Sequence, residues 1–197
     1  MKRICQLLLI FSAVHVQAQQ PATENLHNKV ITLQRFLQQN HYLPVIWNDT
    51  SSAVLFNKWI EKLDDEKLFF TQTEIAALET YKTKLDDELS GKGWEFFNRS
   101  VALYKTSLKR TDSILRALLA KPFDFSKPDN IAWPFTGYAQ NITELTQRWQ
   151  RFLKWRVLEN IADKLSDEGK SITEVIPEDF AAMEKEARER SKKQEGS

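Results

Sequence analysis

The chain has 197 residues, with 28 basic against 27 acidic side chains, 42% hydrophobic and 28% charged. That composition excludes a disordered chain, and a net charge of +1 leaves no electrostatic footprint for nucleic acid or an anionic membrane. Five glycines are too few for Gly-rich phosphate loops or a turn-rich β fold, whereas six tryptophans and twelve phenylalanines supply a large apolar core.

Residues 1–18 read as a secretory leader. Lys2 and Arg3 form a basic start, an apolar run follows from Ile4 to Val16, and Val16-Gln17-Ala18 places small residues at −3 and −1 of a cleavage site. The run is shorter than the roughly 20 residues of a membrane span; a retained anchor is the rival reading. Cleavage after Ala18 removes two of the 28 basic residues against 27 acidic ones, so the net charge falls from +1 to −1. It also removes Cys5, the single cysteine, and with it any disulfide, thiol nucleophile or zinc–cysteine site. Export without disulfides points to a periplasm of the Gram-negative type.

Beyond the leader the periodicity is helical. Leu26, Val30, Leu33 and Leu37 predict a first helix over 22–40, ended before Pro44. A second follows an N-cap among Asp49–Ser52 and carries Leu55, Trp59, Ile60 and Leu63. Thr71 and Glu74 have the spacing of a capping box, and the third helix then runs through Ile75, Leu78, Tyr81, Leu85 and Leu89 to a stop at Gly91. The fourth, over 94–120, presents Phe97, Val101, Tyr104, Leu108, Thr111, Leu115 and Leu118 as a bundle seam. Residues 122–142 hold Pro122, Pro128, Pro134 and Gly137 among five aromatics, which predicts a loop packed over the bundle. A fifth helix starts near Asn141 or Thr143 and carries Leu145, Trp149, Leu153, Val157, Ile161 and Leu165 to Gly169. The last begins at Pro177 and becomes almost wholly charged after Met183, so it reads as a connector that the core does not hold. The expected fold is all-α, an irregular bundle of five to six helices with a long aromatic loop between the fourth and fifth. The expected divisions are the leader at 1–18, the helical domain at 22–168 and the connector or tail at 169–197.

Chemistry-bearing constellations are sparse. His27 and His41 share no helical face with a second metal-ligating residue. Asp64-Asp65 and Asp86-Asp87 are adjacent pairs, about 100° apart on a helix, and suit caps better than metal or acid–base work. No Gly-built strained turn offers an oxyanion hole for a Ser–Lys pair. The Asn48, Asn98 and Asn141 sequons read as chance matches to glycosylation acceptors. No catalytic, cofactor-binding or metal-binding residue is assigned, and no cofactor is expected.

Five stretches in order carry a resemblance. Trp59–Leu89, WIEKLDDEKLFFTQTEIAALETYKTKLDDEL, has Leu63-Asp64, Lys67, Phe69-Phe70, Glu79, Tyr81 and Leu85-Asp86-Asp87. WEFFNRSVALYKTSLKR, FDFSKPDNIAWPF, ELTQRWQRFLKWRVL and the EARER run at 186–190 follow. Together, over residues 25–192, they resemble the N-terminal domain of bacterial tail-specific (carboxy-terminal processing) serine proteases. The resemblance implies a non-catalytic part of an exported Ser–Lys endopeptidase whose PDZ and peptidase domains lie outside this sequence. It implies substrate holding or gating, or adaptor docking, with protein or peptide substrates, an adaptor and those domains as partners, and no membrane contact beyond the leader. Phe69, Phe70, Tyr81, Pro134 and Trp149 are its expected core positions. Trp133, Phe135 and Tyr138 are the candidate contacts to substrate or partner. The alternative is a stand-alone periplasmic adaptor or protein-binding bundle.

Overall fold

The computed structural model describes residues 22–43, 46–127, 129–130, 134–171 and 175–195. The predicted leader, Pro44, Pro128 and Trp133 lie outside them. The chain divides into two compact units, 1–45 and 46–197. In the first, α1 (Ala22–Asn40) has exposed Leu26, Leu33 and Leu37 along its apolar stripe, and its end is closed by the Asn40 side chain donating to the Phe36 carbonyl at 2.9 Å.

The second unit is built from α2 (Asp49–Leu63), α3 (Gln72–Glu79), α4 (Leu85–Leu89), α5 (Glu95–Leu119), α6 (Ile142–Asp167) and α7 (Pro177–Glu195). Seven helices are thus present among the described residues, against five or six expected. The extra one arises because the third predicted helix breaks. Ser52, buried on α2, donates to Asp86 Oδ1 at 2.6 Å and accepts from the Asp86 N–H at 2.8 Å, which starts a new helix, α4, against α2. Between the two, Tyr81, Lys82 and Lys84 make tight i→i−3 bonds instead of continuing α3.

Caps set the remaining boundaries. Asn48, one position before the predicted range, caps α2: its side chain accepts from Ser51 N at 3.1 Å while Ser51 Oγ accepts from Asn48 N at 2.8 Å. Asn141 caps α6 through Glu144 N at 3.0 Å. These two sequon asparagines therefore have a local role, satisfying free N–H groups at helix starts. Gly91 and Gly169 take φ of +98° and +67°, a left-handed conformation that a Cβ disfavours, and end α4 and α6 with paired backbone bonds of the Schellman type.

The buried face of α5 matches the predicted seam only in part: Thr111 and Leu115 of that seam are buried, while Phe97, Val101, Tyr104 and Leu118 are half-buried. Its buried residues are Phe96, Ser100, Ser107, Thr111, Leu115 and Leu119, while Leu108 is 41% exposed. Small hydroxyl residues let neighbours approach closely: Ser100 accepts from Trp59 Nε1 at 3.0 Å. α7 also departs from expectation. It packs on α5 and α6 with Ala187 buried, Phe180 and Met183 against Val157, Ile161 and Leu165, and Glu184, Arg188 and Ser191 buried. Charge alone concealed this face, because two of its buried members are ionised and pair with each other.

Two long helices, α5 and α6, both bind the turn between α2 and α3. Asp64 is 2% exposed, and its carboxylate accepts the N–H groups of Leu68 (2.8 Å), Phe69 (3.1 Å) and Phe70 (2.8 Å). Burial raises its pKa, and those three donors pull it back. Lys67 takes φ +56° to close the turn. The turn's carbonyls face outward to distant helices: Trp149 Nε1 donates to Leu68 O at 2.7 Å, and Arg110 Nη2 donates to Phe69 O at 2.5 Å. Arg110 Nη1 also donates to Glu74 Oε1 at 2.7 Å, while Glu74 Oε2 accepts from the Thr71 N–H at 2.8 Å.

Trp149→Ala should destabilise the protein by about 3–5 kcal/mol in urea unfolding, and Trp149→Phe, which loses mainly the bond to Leu68, by about 1–2 kcal/mol. An unchanged midpoint in Trp149→Ala would refute its place in the core. Partial burial raises the Glu74 pKa, but Arg110 and Thr71 outweigh it and the net shift is downward. A depressed folded pKa makes Glu74 stabilising above its ordinary 4.5 and removes that stability as pH falls through the folded value. Glu74→Gln should therefore lower stability at neutral pH by about 1–3 kcal/mol and flatten the acid limb of a stability–pH curve; parallel curves would contradict this.

Candidate functional site

The aromatic stretch after α5 is tied down at its described ends. Its C-terminal part, 134–141, runs beside the Asp64 turn, where Gln72 N donates to Ala139 O at 2.8 Å and residues 71 and 139 form an isolated parallel bridge. Arg148, 8% exposed on α6, donates to Gly137 O at 2.6 Å and to Glu144 Oε1 at 2.7 Å. Its guanidinium also lies 4.6 Å from the Phe135 ring centroid, a cation–π contact that fixes the ring from one side.

Of the three candidate contact residues, Phe135 is half-buried against the cluster of Leu68, Leu145 and Trp149. Tyr138 is half-buried against the cluster of Phe56, Ile60 and Ile75. Trp133 lies outside the described residues. Of the expected core positions, Phe70 is fully buried, Trp149 is 4% exposed, and Phe69 and Tyr81 are half-buried. The Tyr81 hydroxyl donates to Glu95 Oε2 at 3.3 Å. Pro134 is exposed, which corrects the expectation of a core proline: packing in this stretch falls to the flanking rings and to Ala139, and the ring of Pro134 faces solvent.

Tyr138 lines a cleft of about 280 Å³. Phe56, Ile60 and Ile75, with the buried Asp64, form its floor, and Glu61, Asp65, Glu79 and Lys67 stand on its rim. Burial, followed by the charges of Asp64, Asp65 and Glu61, pushes the Tyr138 phenol up to about 12. The cleft thus combines a phenol, a largely apolar floor and an acidic rim. Among the described residues no group of three or more His, Cys, Asp or Glu side chains is placed to hold a metal ion, and no helix is long and apolar enough to cross a membrane.

Sequence reasoning missed the cations that position this stretch. Arg148 and Lys154 stand on a helix whose apolar positions were read correctly, but a basic residue whose partner carbonyl lies 11 or 27 positions away gives no periodic signal. The one available hint was the clustering of Arg and Lys with Trp at 148–156.

A phenol held neutral to about 12 inside the fold but titrating at 10.0 when unfolded stabilises the protein fully below pH 10.0, and that contribution disappears as pH rises through about 12. Over this window Tyr138→Phe should lose less stability than the native chain in urea unfolding. An identical alkaline decline in both would remove Tyr138 from its buried setting.

A family model described as the tail specific protease N-terminal domain matches residues 33–196. No curated protein matches the chain.

Proposed function

The chain belongs to the tail-specific protease N-terminal domain family, a non-catalytic region of such proteases, and from that premise we propose that it holds or gates polypeptide substrates, or docks an adaptor, for an exported serine protease. In this reading the bundle contributes surface and the bond-breaking residues belong to a Ser–Lys peptidase domain elsewhere in the parent polypeptide. The leader at 1–18 and the absence of cysteine after it support a periplasmic setting.

The observation that carries the reading is the stretch 134–139. Two half-buried aromatics, Phe135 and Tyr138, pack against different clusters from one short segment braced by Arg148 and by the bridge to residue 71, and Tyr138 opens onto a largely apolar-floored cleft. Aromatic side chains held rigid in this way lose little conformational entropy on binding, which is what a surface for unfolded chains requires. Trp133 is included in the proposed contact on its place in the sequence between Pro128 and Phe135.

The test is direct. The purified chain is titrated against a fluorescently labelled, reduced and carboxymethylated polypeptide and followed by anisotropy. We expect saturable binding, weakened about tenfold, or ~1.4 kcal/mol, in the double variant Phe135→Ala/Tyr138→Ala, with the helical circular dichroism retained. Equal affinity in the folded double variant would remove this surface from the contact. A chain that binds no unfolded polypeptide would discard substrate holding and leave adaptor docking.

A further inference from the structure

The segment leaving α5 is joined to α7 by one buried ion pair. Glu184 and Arg188 are 4% and 7% exposed, and Arg188 Nε donates to Glu184 Oε1 at 3.0 Å. Each partner also makes a bond outside its own helix. Glu184 Oε1 accepts the Phe123 N–H at 3.1 Å, and Arg188 Nη1 donates to the Leu119 carbonyl at 2.8 Å, on the last turn of α5. Apolar contacts follow the same seam: the Phe125 ring meets Phe180 edge-on at 5.4 Å, and Phe123 packs into the same cluster. From the other side, Lys154 of α6, 8% exposed, donates to the Lys127 carbonyl at 3.3 Å and pairs with Asp129.

We propose that α7 and residues 120–127 form a single cooperative unit, with the Glu184–Arg188 pair as the latch that couples them. The proposal stands on these contacts alone and does not depend on the binding role above.

The physical reason is that each side supplies buried polar groups that the other satisfies. When α7 lifts, Glu184 and Arg188 keep each other, because they are four residues apart on one helix, but the Phe123 N–H and the Leu119 carbonyl lose their bonds at a site built to exclude water. When 120–127 moves, Glu184 loses a donor while still buried, and a buried carboxylate short of donors is strongly disfavoured. Each segment is therefore most stable when the other is closed. By reciprocity, whatever loads or frees one shifts the opening of the other by the same factor. α7 thereby acquires a means of sensing the near end of the aromatic stretch.

Hydrogen exchange of the full chain, read by mass spectrometry, tests this. Lys154→Met removes the α6 contacts to the Lys127 carbonyl, Asp129 and the Phe125 ring, and leaves both members of the latch in place. We expect it to speed exchange about tenfold in 120–127 and in 177–191 together, with α2–α4 unchanged. The same substitution is then placed in a Glu184→Met/Arg188→Leu background, where apolar replacement of both partners keeps the protein folded. There, 120–127 should still speed up and 177–191 should not. An α7 that ignores Lys154→Met in the native background overturns the proposal. So does an α7 that responds equally with and without the ion pair, because packing alone would then carry the coupling.

Discussion

A carboxylate taken out of water has to be met by donors, and at Asp64 the donors are three consecutive backbone N–H groups of the turn that follows it. Meeting that demand dictates the shape of 64–70, including the left-handed Lys67. Because the N–H groups point inward to the carboxylate, the carbonyls of Leu68 and Phe69 are left pointing outward, and these are what α6 and α5 bind through Trp149 and Arg110. The side chains of Leu68 and Phe70 on the same turn are fully or nearly fully buried in two different apolar clusters. One polar requirement thus places two cores, two long helices and, through the bridge at residues 71 and 139, the aromatic stretch.

A second regularity runs through the bundle. Arg110, Arg148, Lys154 and Arg188 each stand on a long helix, and each joins a carboxylate (Glu74, Glu144, Asp129 and Glu184) to a main-chain carbonyl of another segment. Those carbonyls belong to Phe69, Gly137, Lys127 and Leu119. A carbonyl near a helix end or in a loop has an unfilled lone pair, and a long cationic side chain can reach it across a distance that an apolar contact cannot span. The carboxylate balances the charge so that the cation tolerates burial. In this way segments with no ladder of their own acquire fixed positions. The interior is accordingly more polar than the seam drawn from Phe97, Val101 and Leu108 implies.

Local signals in the sequence were faithful and non-local ones were silent. The Thr71–Glu74 box, Gly91, Gly169 and Pro177 act through their own backbone neighbourhood, and the structure has them capping, ending and starting helices where their chemistry dictates. Hydrophobic periodicity placed the α6 core from Leu145 to Leu165 because every member of that row is apolar. On α5 it found the buried Thr111 and Leu115 but missed Ser100 and Ser107, small residues whose hydroxyls hydrogen-bond to Trp59 and Arg110. It failed on α7, where a buried Glu and Arg look like surface residues until their partners 61 and 69 positions away are known. The break between α3 and α4 depends on Ser52, 34 residues before Asp86, and no window of helical length contains both. Around the candidate site, the aromatic residues were legible as a cluster; the cation beneath Phe135 and the acidic rim around Tyr138 come from elements brought together only by the fold.

The separations along the chain that close the Asp64 turn are only four to six residues, whereas the bond from Trp149 to Leu68 spans 81. A ribosome or translocation channel delivers the chain from its N-terminus, so the turn can assemble long before α6 has emerged. Until it does, the Leu68 carbonyl and the face of Phe69 wait without their main partner. Closing a loop of that length is entropically slow beside local turn formation. The nascent domain therefore passes through a period in which its best-organised element is also its stickiest, and the arrival of the sixth helix is the step that ends its exposure to aggregation.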